Sequence, residues 1–257
     1  MQRPRYRTTM TGEADLYRRY TSIIGLPDGT DVPALLDWSA RYFGAHVVPW
    51  LPPNRDAAIA EVGCGWGRYL AALSGAGYTR CAGVDVSEEQ VAYAREQLKL
   101  TNVVRDDATR WLEARRGELD CILALDVLEH LETDALVALM ESARDALRPG
   151  GVMIVHAPNA LAPLSPLRYA DLTHVRAFTV GSLTQLFRVA GLTPRAFHET
   201  APHGRGPAGT IRRALWRAAL KPMLKGWMLA ANGDAMGGIY TANLIAVAER
   251  PAAIRAR

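Results

Sequence analysis

The chain is poor in cysteine. Its three, Cys64, Cys81 and Cys121, are scattered among apolar, strand-like segments and show no metal-ligand spacing. An odd, dispersed set excludes a disulfide framework and suits reduced thiols in a reducing compartment. No apolar run approaches the roughly 18 residues of a spanning helix. The opening MQRPRYRTTM is basic but has no apolar stretch behind it, so no secretory signal is expected and a cytoplasmic protein is. Internal repeats and low-complexity segments are absent. Aromatic residues make up only 7% and do not interleave with the basic stretch, which argues against stacking on nucleic-acid bases.

What is present is 257 residues, 49% apolar and 22% charged, enough for one large α/β domain with a small appendage. The net charge of +4 is unevenly spread: from Thr200 onward nine Lys and Arg face two acids, a local +7. A slightly acidic body with a basic tail section suggests an anionic partner near the tail, or a solvated basic face.

From Arg55 to Pro158, AAIAEV, CAGVDV, LDCILAL and GVMIVHAP read as buried strands, with a weaker one at TNVV. Between them GRYLAALSGAG, SEEQVAYAREQLKL, ATRWLEARRG and TDALVALMESARDALRPGG read as helices, the second started by Ser87 with acids behind it. Alternation with short loops predicts a parallel sheet covered on both faces. Beyond Pro158 come a Pro-punctuated loop to Val175, a capped helix TVGSLTQLFRVAGL, a short strand TPRAFHET and a last strand in GIYTANLIAVAER. DLYRRYTSIIG and VPALLDWSARYFGAHVVPWL read as helices over the domain edge. The expected division is 1–54 helical cap, 55–200 core, 201–234 basic helical insertion, and 235–257 final strand and tail.

The glycine turn A-E-V-G-C-G-W-G-R narrows the chemistry. A dinucleotide fingerprint would put its third glycine at position 68, which is Arg68, and a phosphate-cradling loop would follow its glycines with Lys-Ser or Lys-Thr. Here the turn follows the first strand, G-V-D-V-S ends the second, D-D-A the third, L-D-V-L-E-H-L the fourth, and L-R-P-G-G precedes the fifth. This ordered set resembles the class I S-adenosylmethionine-dependent methyltransferases, of the type found in glycan and lipid-quinone biosynthesis. The resemblance implies a Rossmann-like α/β fold with a seven-stranded, mostly parallel sheet. It implies S-adenosylmethionine as cofactor and S-adenosylhomocysteine as product. Gly63, Gly65 and Gly67 would let the backbone approach the amino-acid moiety, with Cys64 in the same turn. Glu61 would organise the loop and the ligand's amino group. Asp85 would accept the ribose hydroxyls; Val86, Asp107 and Ala108 would border the adenine, and Leu125 would close the site at the end of the fourth strand.

Methyl transfer is an in-line displacement, dominated by alignment; a hydroxyl acceptor must also lose its proton to a His or carboxylate. His174, in R-Y-A-D-L-T-H-V-R-A-F-T, resembles a D-x-x-H-x-R-x-F-T segment of such enzymes. It is the candidate base, with Asp171 orienting the imidazole; the two could equally pin the loop. His130 is a second candidate, structural or catalytic, and His156 could be a satisfied core group. His46, His198 and His203 have no supporting context. No spacing supports a metal. Arg213, Arg217, Lys221 and Lys225 recur every four residues along 211–225, a basic amphipathic helix that Pro222 should kink or end. Such a helix fits an anionic membrane surface, a phosphorylated acceptor, or plain packing on the sheet edge. The expected acceptor is a hydroxyl of a saccharide or glycolipid, the alternative a quinone or other aromatic small molecule for O- or C-methylation, with no nucleic-acid partner.

Overall fold

A computed structural model describes residues 30–200 and 206–252. The expected helix at DLYRRYTSIIG lies outside these. Helix α1 (Val32–His46) precedes the sheet, started by Asp31, whose side chain accepts the Ala34 N–H, and by proline in its first turn. The alternation then runs β1 (Ile59–Val62), α2 (Arg68–Gly75), β2 (Cys81–Asp85), α3 (Glu88–Glu96), β3 (Val103–Arg105), α4 (Ala108–Glu113), β4 (Leu119–Leu125), α5 (Thr133–Ala146) and β5 (Leu147–Pro158). Helix α6 (Val180–Val189) and β6 (Thr193–Glu199) follow, then α7 (Gly206–Leu215), a π-helical turn at Trp216–Leu220, α8 (Lys221–Asn232) and β7 (Asn243–Glu249).

The sheet order is β3-β2-β1-β4-β5-β7-β6, parallel except for β7, which runs antiparallel between β5 and β6. Strand alternation divides the core in two. Ala60, Ile122, Val155 and Ala246 point to the face covered by α4, α5 and α6. Ile59, Leu123, Ile154 and Ile245 point to the other, covered by α1, α2 and α3. The order reverses between β1 and β4, which opens a crevice beyond their carboxyl ends.

Several boundaries differ from the sequence reading. Helix α5 stops at Ala146, because Leu147 is already extended and pairs with Leu119 of β4; the L-R-P-G-G run belongs to the strand. Helix α3 ends at Glu96, before Lys99 at φ 56°. Only Asn243 onward of the GIYTANLIAVAER stretch is strand. Pro222 does not end the helical run. In an α-helix its ring would strike the carbonyl four residues back and leave that carbonyl without a donor. The wider π turn at Trp216–Leu220, directly ahead of it, accommodates this, and the helix continues to Asn232. The rod packs on the body through Gly209, Trp216 and Leu224, and Lys221 pairs with Glu199 at 2.9 Å.

Candidate functional site

A cavity of about 640 Å³ occupies the crevice at the carboxyl ends of β1, β2 and β4. The glycine turn forms its rim. Gly63 (φ 64°) and Gly65 (φ 54°) lie in the left-handed region, and a Cβ on Gly63 would sit 2.3 Å from Val127 Cγ2. Only glycine fits both backbone and space. Of the expected cofactor residues, Glu61, Gly63, Cys64, Gly65, Asp85, Val86, Asp107, Ala108 and Leu125 line this cavity. Gly67 does not. It starts α2 at φ 85°, with its Cα turned toward Leu100 and Ala94, so it serves the turn and its packing on α3.

Three acids on the cavity wall differ in state. Glu61 is 1% exposed, and its Oε2 has no hydrogen-bond partner among the described residues. Burial pushes its carboxyl up to about 8, against the pull of Arg68. Asp85 is also raised by burial, partly offset by backbone N–H donors; its Oδ2 accepts from Gly65 and its Oδ1 from Ser87, both at 2.8 Å. A carboxylate has about four acceptor positions, so further ones remain for a ligand. Asp126 goes the other way: burial raises it, but His156 and Arg68 outweigh burial and hold it at about 2.

Asp126 belongs to a chain of contacts that the sequence did not reveal. Tyr42 Oη lies 2.8 Å from His156 Nε2, His156 Nδ1 lies 2.6 Å from Asp126 Oδ1, and Arg68 reaches Asp126 Oδ2 at 3.1 Å. The four residues come from α1, β5, the end of β4 and the start of α2. Asp126 has φ 59°, unusual for a non-glycine residue, and that conformation follows directly on β4. Its signals in the sequence were its place at the end of a strand and in L-D-V-L-E-H-L, neither of which named its partners. Trp66, Gln90 and Asp106 also line the cavity unanticipated.

The expected catalytic residues gather into a second knot. His130, in a 3₁₀ turn at Leu128–His130, lines the cavity, whereas His174 and Asp171 do not. The rings of His130 and His174 meet edge to face at 4.6 Å, and His174 Nε2 lies 3.9 Å from Glu129 Oε1. Asp171 is not the residue that orients His174. Its Oδ1 accepts the N–H and hydroxyl of Thr173 at 2.8 and 2.6 Å, and Thr173 Oγ1 stands 2.8 Å from His130 Nδ1. The orienting partner of His174 is the Leu167 carbonyl, 2.7 Å from Nδ1. The Val175 and Arg176 N–H groups donate to the Glu129 carbonyl, and Arg168 grips the carbonyls of His174 and Val175. Burial, then His174, push His130 down to about 4, and burial raises Glu129 well above the usual carboxylate range.

The fit to S-adenosylmethionine rests on features of this cavity. A buried acid with an orphaned oxygen would meet the ligand's ammonium, Cβ-free backbone would meet its amino-acid chain, and the Asp85 carboxylate would meet its ribose. The comparisons agree. Residues 59–151 match a family model described as a methyltransferase domain. A probable S-adenosylmethionine-dependent methyltransferase of Mycolicibacterium smegmatis is 31% identical over 135 residues, 52% of this chain and 51% of that protein. The ubiquinone biosynthesis O-methyltransferase of Dinoroseobacter shibae is 27% identical over 180 residues, 63% of this chain and 71% of that one. The chain thus matches about half the length of the first relative and less than three quarters of the second. A SAM-dependent methyltransferase from Archaeoglobus fulgidus superposes with a TM-score of 0.61 at 17% identity, covering 83% of this chain and 94% of that one, a likeness of fold. Among the described residues no helix is long and apolar enough to cross a membrane. Residues 59–151 thus resemble a methyltransferase domain, and the cavity rimmed by their glycine turn fits S-adenosylmethionine.

Proposed function

We propose that the protein is an O-methyltransferase whose acceptor hydroxyl sits on a membrane-held molecule of the quinone or aromatic type. The observation that carries this reading is the rod Gly206–Asn232. Its inner side is Gly209, Trp216 and Leu224; its outward arc is apolar too, with Ile211, Leu215, Met223 and Trp227 all more than half exposed. Five Arg and Lys and no acid accompany that arc, with Arg213, Arg217, Lys221 and Lys225 along one flank. An outward apolar arc with a cationic flank fits an anionic lipid surface: the arc enters the acyl boundary and the cations meet phosphates. On this reading the basic stripe is the edge of the contact and the apolar arc is the docking face. Arg213 and Lys221 are only half exposed beside the packed side.

The apolar lining of the cavity is compatible with the same class: Leu35, Trp66, Leu131, Ala135 and Leu139 line it beside the expected cofactor residues. The Dinoroseobacter shibae relative is named for ubiquinone biosynthesis and for O-methyl transfer. When bound, S-adenosylmethionine supplies a methyl on a sulfonium, which becomes the thioether of S-adenosylhomocysteine. The chain's part is to hold the acceptor oxygen in line with that methyl and to manage the proton it loses. The second task falls to the Glu129–His130–His174 knot, through His130, the member that lines the cavity. A saccharide on a lipid carrier is the second reading, favoured by the cationic flank, which also suits a carrier phosphate.

The test is incubation with methyl-labelled S-adenosylmethionine and membranes of the source cells, followed by fractionation. Label in an aromatic lipid supports the proposal, and label in a lipid-linked glycan supports the second reading. Label confined to water-soluble metabolites overturns the membrane-held acceptor.

A further inference from the structure

We propose that Arg68, held by Asp126, receives the carboxylate of the cofactor's amino-acid moiety and makes the cavity selective for ligands that carry one. The proposal rests on the S-adenosylmethionine reading of the cavity. That moiety bears an ammonium and a carboxylate on one carbon, so its site needs an anion and a cation close together. Glu61 in β1 is the anion. Arg68 is the first residue of α2, directly after the turn whose Gly63 and Gly65 rim the cavity. It stands where a dinucleotide fingerprint would have its third glycine, the one that permits close packing of helix on strand. A pyrophosphate site leaves no side chain there, whereas a carboxylate site has use for a cation.

The charges of the cavity leave one place for a ligand anion. Among the described residues Arg68 is the one Lys or Arg that lines it. Six acids share the lining: Glu61, Asp85, Asp106, Asp107, Asp126 and Glu132. A carboxylate entering such a wall is repelled except beside the guanidinium. Arg68 is also within the field of Glu61: burial raises the Glu61 carboxyl, and Arg68 is the first charge that opposes the rise. The two therefore form the close pair of opposite charges that the moiety requires.

The guanidinium is held without being used up. Its Nη2 donates to Asp126 Oδ2 at 3.1 Å, and its central carbon lies 4.5 Å over the Tyr69 ring. That is its one hydrogen bond among the described residues, and of about five N–H donors about four remain. A carboxylate takes two of them in the side-by-side geometry that only arginine offers. Asp126 is the positioning residue. Against burial, His156 and Arg68 keep it ionised, and His156 Nδ1 at 2.6 Å ties down its Oδ1, so its Oδ2 is fixed for Arg68. Glu61 and Arg68 together would grip the moiety at both charges and fix its axis, the alignment on which in-line transfer depends.

The test is calorimetric titration of the full chain, without acceptor, by two ligands. One is S-adenosylmethionine; the other is its decarboxylated analogue, which keeps the sulfonium and an ammonium and lacks the carboxylate. The unaltered chain should bind the analogue about 10–100-fold more weakly, the range for hydrogen bonds between charged groups. Arg68→Gln should lose about that factor toward S-adenosylmethionine and nothing further toward the analogue, because both changes remove the same contact. Arg68→Lys should recover only part of the loss, since an ammonium keeps the charge but not the fork. Far-UV circular dichroism and Tm check the fold. If Arg68→Gln does not fold, the two ligands compared on Arg68→Lys decide, with a loss for S-adenosylmethionine alone expected. Equal losses for both ligands overturn the proposal and leave Arg68 a staple between α2 and the end of β4. Equal affinity of the unaltered chain for the two ligands overturns it as well. If neither ligand binds the unaltered chain, the S-adenosylmethionine reading itself fails, and the proposal falls with it.

Discussion

Binding of S-adenosylmethionine should expel a proton, and the proton should come from Glu61. Burial holds this carboxyl at about 8 in the cofactor-free protein. At pH 7 a group with that pKa is about nine-tenths protonated. A ligand ammonium at its orphaned Oε2 favours the carboxylate, so about 0.9 proton should leave per cofactor bound. Two consequences follow. Affinity should rise nearly tenfold from pH 6 to pH 7 and level off above 8. Stability of the cofactor-free protein should run the opposite way. Because the folded pKa is raised, Glu61 favours folding fully below its ordinary 4.5, and that contribution falls as pH rises toward 8.

The assay is calorimetric titration with S-adenosylmethionine at pH 7 in buffers of different ionisation enthalpy. The slope of observed enthalpy against buffer enthalpy counts the protons released. The chain as it stands should give about 0.9, and Glu61→Gln near zero with about 10–100-fold weaker binding, the range for a lost charge-assisted hydrogen bond. A slope of zero for the unaltered protein, or an unchanged slope in Glu61→Gln, would refute the assignment of Glu61 to the ammonium.

Further substitutions probe the rim, the network and the rod. Gly63→Ala meets both a left-handed φ and Val127 Cγ2 at 2.3 Å, so it should lower Tm and weaken cofactor binding at least tenfold. Gly77→Ala, at φ 87° with nothing within 4 Å, should cost only the backbone strain of about 1–2 kcal/mol and leave cofactor affinity unchanged. Asp126 is held at about 2, below its ordinary 3.8, so it contributes stability above pH 3.8 that is lost as pH falls through 2. Acid unfolding of Asp126→Asn should therefore show a weaker pH dependence between 4 and 2, and an unchanged dependence would refute the His156–Asp126 coupling. Met223→Asp with Trp227→Asp, both at exposed positions, should leave Tm in place while reducing sedimentation with anionic vesicles at least tenfold; equal sedimentation would remove the docking face.

The parts that were legible in the sequence are those set by local rules. Runs such as LDCILAL are apolar on both faces because β4 is buried on both sides, and the glycine turn is readable because left-handed φ and close packing admit nothing else. The rest depended on partners remote in the chain. Leu147 could be helix or strand by periodicity alone, and Leu119 decided it. Pro222 marks a break under helix rules, and a π turn of ordinary residues overrode it, with no sequence signature. In the site, Asp171 and His174 lie at hydrogen-bonding spacing, yet Thr173 intervenes and takes the carboxylate, passing the interaction to His130, 43 residues earlier. Arg68 and Asp126 stand in separate motifs and Tyr42 and His156 in none, so their network was not readable: it exists only once α1 lies against β5. Resemblance named the cofactor pocket because that pocket is built from turns contiguous with strands. The second knot is built from the turn after β4 and the loop after β5, which meet only in three dimensions. That is why the contact of His130 with His174, 44 residues apart, had no recognisable spacing, and why the acceptor must be sought by experiment on those residues.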